Sequence, residues 1–377
     1  MINLFQPNVT EESLNNLRDV FKSNWLGRGD LVKEFEDEFA NFIGNKNIHT
    51  IASASNGIDG VFDIFPFKKG DEIIVPTNSF PIIASSAKLR GITIRIADID
   101  RYSGNICLES LEQLLTSKTK AIFITHYGGI PLNIESIRKV IGNDILVFED
   151  SACALGTKIN GVSCGNNADF SVWSFDAMKL VVCGEGGAIH FKSREKLEEA
   201  KEYFYLGLPN KSKSGLDSAK DGGVWWEYDL NRPGIRSIFT NVNAAIGIPQ
   251  ILQIHSKLEK KKEIAITYDE NLDEVNTNHR KTFLKDNIEY SNYFYTIQSN
   301  RRDLLARYLL ENGVYSSLRY SPLHKMRLFE GDNLKEYPGA EYFFNKSLNI
   351  PIHASLERSE IEKIINLIKN FNVRFSV

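Results

Sequence analysis

The chain has 377 residues, of which 42% are apolar, and its formal net charge is −3. This length predicts about two domains, and the near-zero charge argues against nucleic acid or an acidic membrane surface as a partner. The four cysteines form no CxxC pair, so the sequence predicts no zinc or other metal site and no disulfide framework. Nothing resembles a signal peptide or a membrane-spanning helix, and we expect a cytoplasmic protein.

Two amphipathic helices are predicted near the start of the chain. The first covers residues 10–23 with Thr10 as its N-cap, and the second covers residues 31–42 and ends at Gly44. The loop between them places Trp25 and Arg28 among glycines. These two side chains either form the lip of a ligand site or pack into an ordinary turn.

From residue 48 to about residue 190, apolar β-branched runs alternate with helical patterns, which is typical of βαβ units around a mostly parallel sheet. The predicted strands are 48–52, 72–75, 92–97, 121–125, 145–149, 170–175 and 188–191. The helical patterns between them include 58–64, 82–89, 108–115 and 134–141. Ligands bind at the carboxyl ends of the strands in such sheets, so the residues that follow each strand are the candidates for a site.

Several strand ends carry groups that suit a ligand. Residues 53–58 form a turn of small residues that opens a helix, where backbone amides can hold a phosphate. Phe80 follows the second strand, and a place in the core is its alternative. His126 and the acid pair Glu149-Asp150 follow two later strands. Either one acid caps the next helix, or one carboxylate faces the ligand.

The last of these strand ends leads to Lys179. An apolar strand passes through Ser174 to Phe175, Lys179 follows, and a glycine-rich turn covers residues 184–187. A charged lysine between two buried strands is costly to desolvate, so we expect its pKa to fall and its amine to become nucleophilic. The alternative is a surface lysine in a hairpin turn.

One ligand matches all of these groups, and it is pyridoxal phosphate. Its aldehyde requires a lysine, and its pyridinium nitrogen requires a carboxylate because the protonated ring is the electron sink. Its ring requires an aromatic or apolar face, and its phosphate requires amides and hydroxyls. The order and placement of the strand-end residues meet these requirements together.

The same residues carry a family resemblance that runs in order over nearly the whole chain. The chain resembles the DegT/DnrJ/EryC1/StrS sugar aminotransferases, a family of fold type I that uses pyridoxal phosphate. The matching segments include Trp25-Leu-Gly-Arg-Gly, Ser55-Asn56-Gly57, His126-Tyr127-Gly128-Gly129, Glu149-Asp150-Ser151-Ala152, Ser174-Phe175 through Lys179, Gly184-Glu185-Gly186-Gly187, Asn243-Ala244-Ala245-Ile246-Gly247 and Tyr320-Ser-Pro-Leu-His324.

The resemblance implies an α/β fold with a mostly parallel sheet. It implies a large cofactor-binding domain with an N-terminal helical segment over residues 1–247, and a small C-terminal α/β domain over residues 248–377. It also implies a homodimer with shared active sites. The activity would be transfer of an amino group from glutamate to a nucleotide-linked keto-6-deoxyhexose, with pyridoxamine phosphate as the intermediate form of the cofactor. The product would be an amino sugar for surface glycans such as lipopolysaccharide O-antigen.

The substrate stays open at this point. We favour amination of dTDP-4-keto-6-deoxyglucose at C4, with C3 amination and the nucleotides UDP and GDP as alternatives. The family's dehydratase branch has histidine in place of the lysine, so Lys179 argues against it. A non-catalytic regulator of the same fold is disfavoured by the intact set of lysine, carboxylate and aromatic residues.

The resemblance assigns a role to each candidate residue. Lys179 would form the Schiff base and then act as general base and acid, while Asp150 would hold the pyridinium proton. Phe80 would stack on the cofactor ring. The phosphate ligands would be the amides of Asn56, Gly57 and Ile58 and the hydroxyl of Ser174, and the residues near the substrate would be Trp25, Arg28, Tyr320 and His324.

Three positions depart from the family pattern. Cys153 stands where relatives usually carry Gln or His near the cofactor's ring oxygen, and Ile58 replaces a frequent Thr. Arg236 stands where many relatives have an Asn that reaches the neighbouring subunit's phosphate, and as a charged donor it could bind a phosphate more strongly. Asn231 is the other candidate for this role.

The rest of the chain predicts a charged helix and a small α/β cap. Residues 195–204 form the helix, and the glycine-rich loop 209–223 either closes over a nucleotide or is a tolerated insertion. A long helix is predicted from about residue 242 to residue 272, with a solvated charged run at 259–263. The cap then comprises helices at 301–312 and 358–370 and an extended segment at 314–318.

Overall fold

A computed structural model of the chain describes residues 1–209, 224, 226–227, 229–272, 284–329 and 336–375. Apart from residue 209, the predicted loop 209–223 lies outside these residues. In the part of the chain that the structure describes, no helix is both long enough and apolar enough to cross a membrane.

A seven-stranded sheet forms the centre of the fold, as the sequence predicted. The described strands are β1 (Ile48–Ile51), β2 (Glu72–Pro76), β3 (Thr93–Ala97), β4 (Thr119–Thr125), β5 (Leu146–Asp150), β6 (Lys158–Ile159), β7 (Val162–Ser163), β8 (Phe170–Ser174), β9 (Gly187–Phe191), β10 (Ile288–Glu289), β11 (Tyr295–Gln298) and β12 (Ser347–Ile350). The order in the sheet is β1-β9-β8-β5-β4-β2-β3. Strand β9 runs antiparallel to both of its neighbours, and the other pairs are parallel. The carboxyl ends of β2, β4, β5 and β8 therefore meet at one edge.

Most helices follow the predicted pattern, but the helix at Pro338–Lys346 was not predicted. They are α1 (Glu11–Ser23), α2 (Asp30–Ile43), α3 (Ala54–Ile64), α4 (Ile82–Leu89), α5 (Leu108–Leu114), α6 (Ile134–Ile141), α7 (Arg194–Tyr203), α8 (Asn241–Leu252), α9 (Ile254–Asn271), α10 (Arg302–Glu311), α11 (Pro338–Lys346) and α12 (Arg358–Phe375). Thr10 caps α1 by accepting a hydrogen bond from the amide of Ser13, as predicted.

The single long helix predicted over residues 242–272 is wrong. Two helices, α8 and α9, meet at Gln253, whose backbone leaves the helical region at φ −97° and ψ 6°. The break lets α8 pack against α1 and α2 while α9 packs against α12. Glutamine is itself a good helix former, and the helix-breaking residue of this segment, Pro249, lies inside α8 four residues before the break.

Hydrophobic cores form on both sides of the sheet and in the C-terminal part of the chain. The C-terminal core combines α9, α10 and α12 with the antiparallel pair of strands β11 and β12, and Ile2 joins it through a backbone bridge to Val314. The domain boundary at residue 247 stays a prediction. That residue lies within α8, and the start of the chain contacts the C-terminal core.

Candidate active site

The site is built at the carboxyl ends of two neighbouring parallel strands. Asp150 is the last residue of β5 and is 6% exposed, and Ser174 is the last residue of β8. Lys179 follows β8 in a loop whose amide at Lys179 donates to the Asp176 carbonyl. β5 and β8 are hydrogen-bonded neighbours, so the topology brings the lysine and the carboxylate together, as predicted.

The Lys179 side chain is enclosed, which rules out the alternative of a surface lysine. Its Nζ donates to Cys153 Sγ at 3.7 Å and lies 4.9 Å from the ring centroid of Tyr293. Burial by itself lowers the pKa of Lys179, but the acidic groups around it outweigh burial and raise that pKa well above its usual value. These groups are Cys153, Tyr293, Tyr320 and Asp150. The expected fall of the lysine pKa is therefore wrong for the protein alone.

Asp150 keeps one carboxylate oxygen available. Its Oδ1 accepts from the amide of Ala152 at 3.0 Å, and no other hydrogen bond reaches the carboxylate from the described residues. Burial raises the pKa of Asp150, while the Ala152 amide and the charge of Lys179 oppose that rise. A buried carboxylate of this kind is stabilised by a positively charged donor, and a pyridinium N–H is such a donor.

The neighbouring acid, Glu149, has a different partner. Its Oε1 lies 2.7 Å from His126 Nε2 and accepts from the amide of Gly165, and its Oε2 accepts from the Ser171 hydroxyl. His126 Nδ1 accepts from the amide of Leu132 at 3.0 Å, so the imidazole proton is on Nε2 and is donated to Glu149. Both side chains are buried. Glu149 therefore neither caps a helix nor faces the ligand, and His126 is not free to bind one.

Tyr320 lies near the lysine, and Phe80 packs against Tyr320. Phe80 is 43% exposed, so the alternative that places it in the core is wrong. Its ring meets that of Tyr320 edge to face, with centroids 5.7 Å apart. Burial raises the pKa of Tyr320 well above its usual value, so its phenol stays protonated beside Cys153 and Lys179.

The predicted phosphate amides need a correction. Helix α3 begins at Ala54, four residues before the predicted start, and Ser53 caps it. The amide of Asn56 donates to the Ser53 side chain at 3.2 Å and the amide of Gly57 to the Ser53 carbonyl at 3.4 Å. Ile58 already lies inside the helix. The first two amides of a helix have no intrahelical acceptor, so the donors at this end are those of Ala54 and Ser55.

The same end of the molecule offers two further features for a phosphate. Ser174 Oγ accepts from the amide of Asp176 at 3.3 Å, which leaves its hydroxyl proton for a ligand. Gly187, the first residue of β9, packs directly against the start of α3, since a Cβ there would lie 2.5 Å from the Ala54 nitrogen. A side chain at this position would fill the space at the helix terminus.

Trp25 and Arg28 are held away from Lys179 within the protomer. Trp25 is 63% exposed, and its Nε1 donates to the Arg28 carbonyl at 2.9 Å. Arg28 pairs with Glu36 at 2.7 Å and also contacts Thr50. Among the described residues, neither side chain contacts Lys179, Asp150 or Tyr320.

The other predicted ligand residues also have partners of their own. His324 shares a hydrogen bond with Thr77 at 2.7 Å and stacks on Tyr337 with ring centroids 4.0 Å apart. Arg236 is exposed and lies over the Tyr205 ring at 5.7 Å. The side-chain amide of Asn231 donates to Glu202 Oε1 at 3.1 Å. A role at the cofactor for either of the last two therefore requires the site of another protomer.

The sequence did not point to Tyr293 or Lys261 as residues of the site. The Tyr293 ring contacts Lys179, and the Nζ of Lys261 lies 5.6 Å from the centroid of the same ring. The charged run at 259–263 was expected to be solvated, but Lys261 is only 5% exposed. The signal was available, because Lys257, Lys261, Ile264, Ala265 and Tyr268 share one buried face of α9 at helical spacing.

A mostly parallel sheet whose strand ends present a lysine, a carboxylate and an aromatic ring suits an enzyme that uses pyridoxal phosphate, and comparison with known proteins identifies the family. The model of the DegT/DnrJ/EryC1/StrS aminotransferase family matches residues 7–369, and the chain belongs to this family. It is a sugar aminotransferase, and its cofactor is pyridoxal phosphate.

Three relatives illustrate the similarity. The chain is 33% identical over 370 residues to the dTDP-4-dehydro-2,3,6-trideoxy-D-glucose 4-aminotransferase of Saccharopolyspora spinosa, which covers 97% of this chain and 95% of the relative. The aminotransferase TlmJ of Streptoalloteichus hindustanus superposes with a TM-score of 0.91 at 32% identity over the full length of both chains. The putative sugar aminotransferase Spr1654 of Streptococcus pneumoniae, in its PMP form, has the same fold, with a TM-score of 0.90 at 24% identity, 99% of this chain and 100% of that one being covered.

The donors of the site fit the cofactor. Lys179 offers an amine, Asp150 an oxygen without a hydrogen bond from the described residues, and Ser174 a free hydroxyl proton. The start of α3 adds backbone amides and a positive helix-dipole end for a phosphate. Phe80 offers an exposed aromatic face.

Proposed function

We propose that the enzyme transfers the amino group of glutamate to C4 of a dTDP-linked 4-keto-6-deoxyhexose, giving an amino sugar for surface glycans. The observation that carries the proposal is the 33% identity, over 97% of the chain, with an enzyme named for dTDP, for a 4-keto deoxysugar and for C4. Lys179 supports transamination over the dehydratase branch of the family, which has histidine at that position.

The residues divide the chemistry between them. When bound, pyridoxal phosphate supplies the electron sink that stabilises negative charge on the reacting carbon. Lys179 holds the cofactor through its amine and, once released from it, moves the proton at the substrate carbon. Asp150 keeps the ring nitrogen protonated, and Phe80 covers one face of the ring. The amides at the start of α3 and the Ser174 hydroxyl hold the phosphate.

We further propose a homodimer whose protomers complete each other's sites. Trp25 and Arg28 face away from their own lysine, and Arg236 and Asn231 are exposed, which suits contacts with the partner's substrate and phosphate. Tyr320 and His324 lie on the segment that follows Arg319 and would approach the sugar from the same protomer. His324 acts there through its hydrogen bond to Thr77, at the end of β2.

The test is product analysis with a panel of acceptors. The enzyme is incubated with ¹⁵N-glutamate and dTDP-4-keto-6-deoxyglucose, its UDP and GDP counterparts, or the dTDP-3-keto isomer. NMR then identifies the carbon that carries ¹⁵N. We expect fastest turnover with the dTDP-4-keto sugar and ¹⁵N on C4, while Lys179→Ala serves as the inactive control. Faster amination of the 3-keto isomer would establish the C3 alternative, and preference for UDP or GDP would overturn the choice of nucleotide.

A visible spectrum checks the cofactor independently of the sugar. Enzyme with pyridoxal phosphate on a lysine absorbs visible light, and glutamate should bleach the band by completing the first half-reaction. No visible band even after addition of the cofactor would show that Lys179 does not bind it, and a regulator or dehydratase would then explain the chain better.

A further inference from the structure

A second cavity opens beside Lys179, away from the predicted cofactor ligands. Its volume is about 30 Å³, which is room for a group the size of one or two water molecules, such as a carboxylate. Its lining comes from the start of the chain, from α9 and from the segment after β12, and it includes Asn8, Lys179, Lys257, Lys261, Tyr293 and His353. Asp150, Phe80 and Ser174 are not part of this lining, and no carboxylate among the described residues lines it.

Two buried lysine amines line the cavity. Lys261 is 5% exposed, its Nζ lies 5.6 Å from the centroid of the Tyr293 ring, and it has no hydrogen bond or ion pair with the described residues. Lys257 is 4% exposed, and its acceptors among the described residues are the Asn8 carbonyl and the Gln250 side-chain oxygen. Burial lowers the pKa of Lys261 to about 7 and that of Lys257 to about 8.

A third group in the lining also lacks a partner. His353 is 7% exposed, and its Nε2 donates to the Asn3 carbonyl at 3.2 Å. Its Nδ1 is buried without a hydrogen bond among the described residues. Burial lowers the pKa of His353, so its Nδ1 is an acceptor and would pair with a hydrogen-bond donor. A buried amine such as that of Lys261 is costly unless paired, and an anion in the cavity would pair with it.

We propose that this cavity binds the distal carboxylate of the amino donor, with Lys261 as the residue that selects a dicarboxylate such as glutamate over neutral amino acids. The inference rests on the proposed function and adds to it the recognition of the donor.

The position of the cavity favours the donor over the other anion of the reaction, the pyrophosphate of the nucleotide sugar. Lys179 and Lys261 contact the same ring, that of Tyr293, so an anion held by Lys261 must lie close to the reacting atom. The distal carboxylate of glutamate is only a few bonds from its reacting carbon. In a 4-keto hexose, the whole sugar ring separates the reacting carbon from the pyrophosphate.

Three variants of the holoenzyme test the proposal. Lys261→Met removes the charge and keeps a stem of similar length, and Lys261→Arg restores a cation. Lys262→Met is the matched control, because Lys262 is the next residue on the helix and its side chain is 61% exposed. Two ligands are titrated. Glutamate is followed by loss of the visible cofactor band, and glutarate, which cannot react, is followed by calorimetry.

We expect Lys261→Met to weaken both dicarboxylates about 10- to 100-fold, the loss typical of a charge-assisted hydrogen bond. Reaction with 2-aminobutyrate, which has no distal carboxylate, should change little by comparison. Lys261→Arg should recover most of the loss, and Lys262→Met should behave as wild type.

Two results would overturn the proposal. One is an equal effect of Lys261→Met on glutamate and 2-aminobutyrate. The other is weaker binding of dTDP with unchanged binding of glutarate, which would assign the cavity to the pyrophosphate. If wild-type enzyme did not react with glutamate, the donor in the proposed function would be wrong. The glutarate titration would still decide on the cavity, because it needs no reaction.

Discussion

Replacing Lys179 should distinguish binding of the cofactor from transfer of the amino group. Its Nζ contacts Cys153 and the Tyr293 ring, but the proposed phosphate ligands lie elsewhere, at α3 and Ser174. Lys179→Ala should therefore abolish transamination, by at least about 10⁴-fold if the lysine is the proton-transfer group, while pyridoxamine phosphate still binds. Steady-state assays and calorimetric titration of pyridoxamine phosphate measure the two effects.

The control for this prediction is Lys192→Ala, since Lys192 is exposed on the chain just after β9. That variant should keep wild-type turnover. Residual turnover near wild type in Lys179→Ala would remove the lysine from its role.

Asp150 offers the second test at this scale. Its free oxygen is the only carboxylate acceptor near Lys179 among the described residues, because Glu149 is bound to His126. Asp150→Asn keeps the shape and removes the charge that holds the pyridinium proton, so kcat should fall by about 10² or more. The cofactor band should also respond differently to pH. A near-normal kcat with an unchanged spectral titration would show that another group holds this proton.

The position of a single residue was predictable where the neighbouring sequence alone showed that it lies at the end of a strand. Lys179, Asp150 and Phe80 follow strands that the apolar runs predicted, so the structure placed them at the expected edge. The pKa direction of Lys179 was not predictable. Cys153, Tyr293, Tyr320 and Asp150 together outweigh its burial, and the two tyrosines come from segments more than a hundred residues away.

At the scale of elements, α9 shows that a run of charged residues can contain buried lysines. Six of the seven residues at 257–263 are charged, which favours a solvated face. Packing of α9 against the C-terminal core buries two of them, Lys257 and Lys261, in line with Ile264 and Tyr268. Similarly, the start of α3 was predicted four residues late, because Ser53 and not the first apolar residue sets the helix N-terminus.

Removal of the Lys261 charge should stabilise the free protein. Lys261 titrates near 10.5 when unfolded and near 7 when folded. Below about pH 7 both states are charged and the full desolvation penalty is present. Between about pH 7 and pH 10.5 only the unfolded chain binds the proton, so wild-type stability rises with pH.

Methionine does not titrate, and Lys261→Met should therefore raise the free energy of unfolding by about 1–4 kcal/mol near pH 6.5. This advantage should shrink toward pH 10. Urea denaturation at both pH values measures it, with Lys262→Met as the control that stays within about 0.5 kcal/mol of wild type. A stabilisation that does not change with pH would show that packing, and not charge, is responsible.

At the scale of the whole molecule, the N-terminal segment and residues 352–354 meet beside Lys179. The first residues pair with Val314, and Phe5 and Asn8 line the cavity beside residues 352–354. The family resemblance predicted the parallel sheet and the cofactor edge, but no local pattern predicts that a segment before α1 contributes to a site after β8. Such contacts depend on which surfaces the complete fold leaves to be covered.

The exposed positions of Trp25 and Arg236 lead to a prediction about assembly. If each site combines Lys179 of one protomer with Arg236 of the other, two inactive variants should complement each other when mixed. Lys179→Ala and Arg236→Ala, assayed at a cofactor concentration where each alone is inactive, should regain up to about a quarter of wild-type activity. Random pairing makes half of the dimers mixed, and each mixed dimer contains one intact site. Mixing Lys179→Ala with Asp150→Asn is the matched control and should restore nothing, because these two residues belong to the same protomer's site. Complementation by Asn231→Ala instead of Arg236→Ala would assign the phosphate contact to Asn231, and no recovery with either would show that each protomer works alone.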